Sequence, residues 1–212
     1  MATPKILHLR SVAHEESSFD RTVIARGYES LSVRELDAAT LARRSAILVE
    51  AHIDQCALLA LKPALEAHLD QGGTLVFNGH LTYGLLDGLE LFQVATERRV
   101  KDLQVIRVNP HPVFDGVDCP DLSFRKGVSG FYGRGANPAP EGAVILHRLH
   151  AEDLPVDWLW QRPGGGQVLM HGGNTMWMYQ NDPTSAARIV PQLLDWLEAS
   201  CPVPPAYQRG AR

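Results

Sequence analysis

The sequence has few cysteines and no excess of positive charge, and each of these absences excludes a class of protein. Its 212 residues include only three cysteines, Cys56, Cys119 and Cys201. Their wide spacing forms neither a disulfide framework nor a zinc-binding pattern. The 20 Lys and Arg residues are outnumbered by 24 Asp and Glu. We therefore expect no binding to nucleic acid, which requires a basic surface.

The sequence also lacks the long apolar segments that membrane insertion or secretion requires. No run approaches the roughly 18 apolar residues of a membrane-spanning helix. The first 16 residues, MATPKILHLRSVAHEE, contain only a short apolar stretch interrupted by His8. This stretch has neither the long apolar region nor the cleavage site of a signal peptide. These features predict a cytoplasmic protein that contacts no membrane.

The composition is that of a globular domain, with 45% hydrophobic and 21% charged residues. The length suits one well-buried α/β domain and is marginal for two. Residues 1–200 show neither an internal repeat nor a linker, and we predict that they form a single domain. The remaining residues, 201–212, read CPVPPAYQRGAR. This Pro-rich composition predicts a mobile tail.

Short apolar runs alternate with helical patterns in the first half of the chain. The runs predict strands at residues 5–10, 30–33, 46–50 and 74–77, and the patterns predict helices at 17–26, 37–44 and 54–69. Within the last of these helices, Pro63 predicts a bend. Such alternation with short connections is typical of a parallel sheet covered by helices on both faces.

The second half of the chain shows a looser pattern. Further strands are predicted at residues 104–108, 143–149, 157–161 and 167–171. A turn of Pro and Gly residues separates the last two, which indicates an antiparallel hairpin at one side of the sheet. An amphipathic helix is predicted at 185–199. Residues 118–142, rich in Gly and Pro, predict a long surface excursion, and Gly133-Arg134-Gly135 within them reads as a turn.

The segment GGTLVFNGHLTYG, residues 72–84, joins a short apolar strand to a tight turn. In many α/β enzymes, a strand, a tight turn and a helix in this order carry a nucleophile at the tip of the turn. Here the tip reads Asn78-Gly79-His80 and holds neither Cys nor Ser. The segment therefore has the architecture of a catalytic elbow without its usual reactive atom.

Several polar residues follow the predicted strands, where ligands of open α/β sheets bind. They are His14, Glu15, Glu50, His52, Asp54, Asn78, His80, His171 and Asn174. Imidazole titrates near neutrality, so His80 and His171 are candidate acid–base residues, together with Glu50. The alternative for each histidine is a structural hydrogen bond, and for Glu50 a helix cap or ion pair. Candidate ligand-binding residues are His52, Asn78, Gly79 and Asn174.

Nine histidines raise the question of a metal site. Four of them, His14, His52, His80 and His171, could converge at one edge of the sheet. Their spacing matches no local metal-binding motif. We therefore predict neither a metal nor a cofactor, and keep a metal-dependent hydrolase or isomerase as an alternative.

Aromatic and sulfur-containing side chains cluster in the C-terminal half. The cluster comprises Trp158, Trp160, Met176, Trp177, Met178 and Tyr179. Core packing is the simplest interpretation of such a cluster. A contact between copies of the chain is the alternative, and would make the protein a homo-oligomer through this Trp-rich region.

Three stretches together resemble the class I glutamine amidotransferase-like superfamily, and more narrowly its trehalose-utilisation-like proteins and a related domain of some β-galactosidases. They are GGTLVFNGH (72–80), HPVFDGV (111–117), and GGGQVLMHGGN (164–174) with the helix ending LLDWLEA. The resemblance spans most of residues 5–200. It implies a flavodoxin-like three-layer α/β sandwich with a mostly parallel sheet and a few antiparallel strands in the C-terminal half.

The resemblance also indicates which activity the chain lacks. In amidotransferases of this fold a Cys occupies the elbow, and it would fall at Asn78 or Gly79 here. Their catalytic His would fall at His171, followed by Gly172-Gly173 in place of Pro-Glu. Without a thiol, no glutamyl thioester forms. The resemblance therefore implies a pocket for a small polar ligand, with a sugar-like compound as one candidate, and no glutaminase activity. A non-catalytic assembly module is the alternative.

Overall fold

The computed structural model describes residues 5–11 and 17–200, without the side chain of Ser200. Two of the candidate site residues, His14 and Glu15, and the tail predicted at 201–212 lie outside these ranges. The described residues form twelve strands: β1 (Ile6–Arg10), β2 (Glu29–Ser32), β3 (Ala46–Val49), β4 (Thr74–Asn78), β5 (Gln93–Val94), β6 (Val105–Arg107), β7 (Phe124–Arg125), β8 (Val128–Ser129), β9 (Gly135–Ala136), β10 (Val144–Leu149), β11 (Asp157–Gln161) and β12 (Gln167–His171).

Eight of these strands form the central sheet, in the order β2-β1-β3-β4-β12-β11-β10-β6. From β2 to β12 all neighbours are parallel, whereas β11, β10 and β6 each join antiparallel. The predicted mostly parallel sheet with antiparallel strands in the C-terminal half is thereby confirmed. The predicted hairpin of the last two strands is present, and its second strand, β12, lies parallel to β4 inside the sheet. Two small antiparallel pairs, β5–β9 and β7–β8, lie outside it.

Three helices begin within one residue of the predicted starts at 17, 37 and 54, after the N-cap residues Ser17, Asp37 and Asp54. The described residues form α1 (Ser18–Ala25), α2 (Ala38–Leu41), α3 (Gln55–Leu59), α4 (Lys62–Asp70), α5 (Cys119–Ser123) and α6 (Ile189–Ser200). The single helix predicted at 54–69 is wrong, because the structure divides it into α3 and α4. Pro63 lies in the first turn of α4, where a missing N–H breaks no helical hydrogen bond. The proline thus starts a second helix rather than bending one.

The sheet separates two apolar cores, as a three-layer α/β fold requires. Along each strand, neighbouring side chains alternate between the layers, so that Ile6 and Leu48 belong to one core and Leu7 and Val49 to the other. The first core is completed by α1 and by α6, whose predicted apolar face is confirmed by the burial of Ile189, Leu193, Leu194 and Leu197. The second core contains buried leucines of α3 and α4. None of the helices in the described ranges is long and apolar enough to cross a membrane.

Most of the C-terminal aromatic cluster belongs to these cores. Trp158, Met176, Trp177 and Tyr179 are buried, Trp160 is partly buried, and Met178 is 46% exposed. Core packing therefore accounts for four of the six side chains. A contact between copies of the chain through this region stays a prediction.

The surface excursion predicted at 118–142 is wrong for much of its length, since Leu122 and Ser123 of α5 are already buried. Tyr132, Ala136 and Asn137 are buried, and β9 pairs with β5. The glycines of this segment permit the burial: a Cβ on Gly133 would lie 2.7 Å from Val156 Cγ2, and one on Gly135 would overlap the carbonyl oxygen of Gln93. Glycine therefore allows close approach of the chain here rather than marking an exposed turn.

His68 in α4 makes stability depend on pH. Its buried ring lies against Gly73, where a Cβ would overlap it. Burial lowers the pKa of His68 to about 4, although hydrogen bonds to the backbone oppose this shift. The unfolded chain, with a pKa near 6.5, takes up a proton first as the pH falls. We therefore expect about 3 kcal/mol of the free energy of unfolding to be lost between about pH 6.5 and pH 4.

Urea unfolding of wild type and His68→Gln at several pH values measures this loss. Glutamine keeps a polar group and does not titrate, so the variant should have a flatter pH profile over this window. Equal pH dependence of the two proteins would contradict the assignment to His68.

Candidate functional site

A cavity of about 190 Å³ opens where β3, β4 and β12 end. It is lined by His52, Gly79, His80, Val128, Gly130, Phe131, Gly133, Arg134, Gly173 and Asn174. Four of the predicted site residues, His52, Gly79, His80 and Asn174, are therefore brought together. They converge because the carboxyl ends of parallel strands meet at one edge of the sheet.

Two cavity residues have backbone conformations that most side chains disfavour. His52 has a φ of 63°, in the left-handed region where non-glycine residues are uncommon. Gly79 has a φ of 104°, and a Cβ there would lie 3.2 Å from Ala51 Cα. Glycine adopts such a φ freely, whereas a non-glycine residue held there, as His52 is, is strained and is often found at ligand sites. The two turns bring the His52 and His80 side chains into the same wall.

His80 presents an imidazole to solvent at the cavity wall. Its ring stacks on Phe92 with centroids 3.6 Å apart, which fixes its orientation. Burial lowers the pKa of His80, and the neighbouring His52 and His171 lower it further. A histidine with a lowered pKa is neutral at pH 7, and one ring nitrogen then accepts a hydrogen bond.

The loop after β4 is held by side chains from two other parts of the chain. Asn137 accepts from the Leu81 amide and donates to the Gly79 carbonyl, each at 2.8 Å. Gln55 donates to the His80 carbonyl and accepts from the Thr82 amide. These bonds satisfy the backbone of the turn and fix its shape. Sequence reasoning missed Asn137, because nothing local links it to a loop more than 50 residues earlier.

Asn78, predicted to bind ligand, lies beneath the cavity. It is fully buried, its amide donates to the Val49 carbonyl at 2.8 Å, and its oxygen accepts from the Met176 amide at 3.0 Å. Thr175 accepts from the Ala51 amide in the same region. Both functional atoms of Asn78 are thus engaged by backbone, so the residue joins the ends of β3 and β4 to the segment after β12.

His171, at the end of β12, is part of a buried cluster around Asp157. Its Nδ1 donates to Asp157 Oδ1 at 2.6 Å. Asp157 Oδ2 accepts from His147 Nδ1 at 2.8 Å and from the Tyr132 hydroxyl at 2.6 Å. The Nε2 of His171 is buried without a hydrogen-bond partner among the described residues. It lies beneath Gly173, whose Cβ would be 2.9 Å away.

The cluster stabilises a negative charge in the protein interior. Burial alone would raise the pKa of Asp157, but His171 and His147 outweigh it and hold the pKa below its ordinary value. Burial, with the nearby Asp157 carboxylate, raises the pKa of the Tyr132 hydroxyl. Asp157 is therefore ionised and Tyr132 neutral at pH 7. Neither residue was a candidate from sequence, because Asp157 stands inside a predicted strand and Tyr132 in a predicted loop.

Glu50, predicted as an acid–base residue, is placed outside the cavity lining. Its Oε1 accepts a 2.7 Å hydrogen bond from the Ser11 amide, which joins the ends of β1 and β3. This contact is structural, but it is neither the helix cap nor the ion pair given as the alternative for Glu50. A catalytic role for it has no support from the position of its carboxylate.

The cavity wall carries donors and no carboxylate. Arg134, His52, His80 and Asn174 are the polar side chains among its lining residues. Asn174 donates to the Phe131 carbonyl at 2.8 Å, which holds the wall opposite the β4 turn. Within residues 5–11 and 17–200, no three His, Cys, Asp or Glu side chains form a group that could hold a metal ion. The polar side chains of the lining are therefore imidazole, amide and guanidinium groups.

Comparison with known proteins shows similarity at the level of fold. No family model and no curated protein matches the chain. Among solved structures, the mmIFT52 N-terminal domain has a TM-score of 0.57 at 12% identity, with 91% of this chain and 96% of that domain covered. A putative ThuA-like protein from Bacteroides uniformis ATCC 8492 has a TM-score of 0.51 at 11% identity, with 98% and 97% covered.

A third solved structure is more distant. It is a catalytic mutant of a GH42 β-galactosidase from G. stearothermophilus, with a TM-score of 0.43 at 12% identity, and covers 93% of this chain and 30% of its own. That score is too low to support a conclusion. The chain thus shares the fold of a ThuA-like, that is trehalose-utilisation-like, protein, and at such identities the similarity extends to fold alone.

Proposed function

We propose that the protein binds a small polar, sugar-like ligand in the cavity at the ends of β3, β4 and β12, and has no glutaminase activity. The observation that carries this proposal is the composition of the wall, which offers two imidazoles, an amide and a guanidinium without a carboxylate. Hydroxyl-rich ligands accept hydrogen bonds from such groups. Phe131 adds an aromatic side chain to the lining, although the Arg125 guanidinium lies over its ring, 4.6 Å from the centroid.

The elbow sequence supports the absence of glutaminase activity. Asn78, Gly79 and His80 supply neither a thiol nor a hydroxyl at the turn. Of the described cysteines, Cys56 is exposed and Cys119 is partly buried, and neither lines the cavity. The fold shared with a ThuA-like protein agrees with a member of the amidotransferase-like superfamily that has lost the nucleophile. A thioester mechanism would require that missing thiol.

The two predicted acid–base histidines lie at different depths below the cavity surface. His80 lies at the wall and is neutral at pH 7, so it can take a proton from a bound hydroxyl. His171 lies beneath Gly173 and is oriented by Asp157, an arrangement that resembles a base held by its orienting carboxylate. We assign ligand contact to His80 and His52, and a positioning role to His171.

Binding of a panel of polar compounds to isotope-labelled protein, followed by amide NMR, tests the proposal. The panel contains neutral sugars, sugar acids, sugar phosphates and glutamine. We expect at least one sugar-like compound to shift the signals of Gly79, Gly173 and Asn174, and glutamine to remain unhydrolysed. Asn174→Ala should weaken that binding about tenfold, because it removes an amide from the wall.

Asn109→Ala is the matched control. Asn109 also donates its amide to a backbone carbonyl, that of Ile145, at the opposite edge of the sheet. This variant should bind the panel as the wild type does. Signals that stay unchanged with every compound, or equal weakening by both substitutions, would overturn the proposal.

Two alternatives have less support. An assembly module would use the Trp-rich C-terminal region, but most of its side chains are in the core. A metal-dependent hydrolase or isomerase would need converging ligands, and the described residues hold no such group.

A further inference from the structure

A second cavity, of about 230 Å³, adjoins the first. It is lined by Arg98, Val100, Leu103, Ser129 and Arg134. Arg134 lines both cavities, and the neighbouring Ser129 and Gly130 line one each. The Arg134 side chain thus stands at a boundary common to the two spaces. A ligand bound in the first cavity can therefore extend to Arg134 and beyond.

Three glycines fix the position of Arg134. Gly133 and Gly135 pack closely against Val156 and the Gln93 carbonyl, so the backbone between them lies tightly on the fold. At Gly130, a Cβ would lie 3.4 Å from Arg134 Cγ and 3.3 Å from its Nε. Arg134 Nε donates to the Gly130 carbonyl at 3.2 Å. These contacts orient the aliphatic part of the Arg134 side chain. The two terminal nitrogens of its guanidinium then face the cavities.

The charge at this boundary is not compensated by nearby acids. Neither cavity has a carboxylate in its lining. Among the described residues, neither Arg98 nor Arg134 takes part in an ion pair, and Arg98 Nε donates to the Ala95 carbonyl at 2.9 Å. Glu97, next to Arg98, and Asp102, four residues after it, both pair with Arg99. The buried Ser129 Oγ has no hydrogen-bond partner in the same part of the chain. The second cavity therefore offers two guanidinium groups to an anion.

We propose that the ligand carries a phosphate monoester, which Arg134 and Arg98 bind. The polar remainder of the ligand then contacts His52, His80 and Asn174. The planar guanidinium matches phosphate oxygens with two parallel hydrogen bonds, a geometry that lysine does not offer. This inference rests on the proposed function and specifies its ligand as a small phosphorylated polyol.

Binding of glucose 6-phosphate, glucose and inorganic phosphate, each up to about 20 mM, tests the inference by amide NMR and calorimetry. We expect glucose 6-phosphate to bind at least about tenfold more tightly than glucose, and to lose affinity as salt is added. Arg134→Gln should abolish this difference, and Arg134→Lys should retain only part of it. Inorganic phosphate alone should shift the signals of Ser129, Gly130 and Arg134.

Arg43→Gln is the control, since Arg43 is an exposed arginine next to α2, at the other edge of the sheet. Equal affinity for glucose and glucose 6-phosphate, unaffected by Arg134→Gln, would overturn the phosphate inference and leave the proposed function intact. Arg134-dependent binding of inorganic phosphate without binding of either sugar would support the anion site and contradict the polyol pocket. Equal binding of acetate and phosphate, or no binding of phosphate, would overturn the inference outright.

Discussion

Replacement of Asp157 by alanine should lower the free energy of unfolding by about 4 kcal/mol, since it breaks a buried charged cluster. The carboxylate is fully buried and accepts from Tyr132, His147 and His171. Its removal leaves three buried donors without an acceptor, and each unsatisfied group costs about 1–3 kcal/mol before relaxation. Urea unfolding of the purified variant measures the change. Asp87→Ala is the control, because that carboxylate is 79% exposed, and its ion pair with Lys62 should contribute little.

The Asp157 cluster also predicts the direction in which the free energy of unfolding changes as the pH falls. The pKa of Asp157 is lower in the folded protein than in the unfolded chain. The stability linked to this carboxylate is therefore complete above the unfolded pKa, near 4, and is lost as the pH falls through the folded value. Asp157→Asn should remove that part of the acid dependence and leave the part assigned to His68. If Asp157→Ala unfolds no more easily than Asp87→Ala, the cluster does not stabilise the fold.

Gly173→Ala should be the most damaging substitution in the cavity wall. A Cβ at this position would overlap the carbonyl oxygen of Tyr132 and lie 2.9 Å from His171 Nε2. Backbone cannot move aside as a flexible side chain can, so the segment carrying Tyr132 must shift. Overpacking of this kind costs about 1–3 kcal/mol, and we expect the upper end of that range. The shift should also displace Phe131 and Arg134 and abolish ligand binding.

Gly84→Ala is the matched control for this substitution. It has no atom within 4 Å of its added Cβ and no positive φ. Its thermal unfolding and ligand binding should equal those of the wild type. A Gly173→Ala protein that keeps both its stability and its affinity would show that the Tyr132 segment adapts without cost, and would contradict the close packing described for this wall.

The fold was accessible from sequence because its signals are local. Alternating apolar runs and capped helices are read within a few residues, and they predicted the parallel half of the sheet. Local signals failed where one residue type is compatible with two different structures. Pro63 was interpreted as a bend but starts a new helix. Gly133 and Gly135 were interpreted as a turn, whereas they permit close packing against residues distant in sequence.

Part of the candidate site could be predicted from the sequence for a related reason. His52, Gly79, His80 and Asn174 each follow a strand, and parallel topology alone brings such residues together. Arg134 and Asn137 approach from a segment without a strong pattern, and their partners are far away in sequence. The sequence also did not show which of these residues line the cavity and which are buried beneath it. Asn78 and His171 end their strands as expected, yet both are fully buried.

The place of β12 beside β4 has a consequence for synthesis of the chain. β4 is complete at residue 78, but its parallel partner comes only at residues 167–171. Until those residues leave the ribosome, β4 is an edge strand with unpaired backbone groups and an apolar sequence, a surface that favours pairing with other chains. Translation adds about 5–20 residues per second, so this edge stays open for seconds. The nascent chain is therefore most vulnerable to aggregation between the synthesis of β4 and that of β12, and a chain truncated before β12 should be a substrate for chaperones.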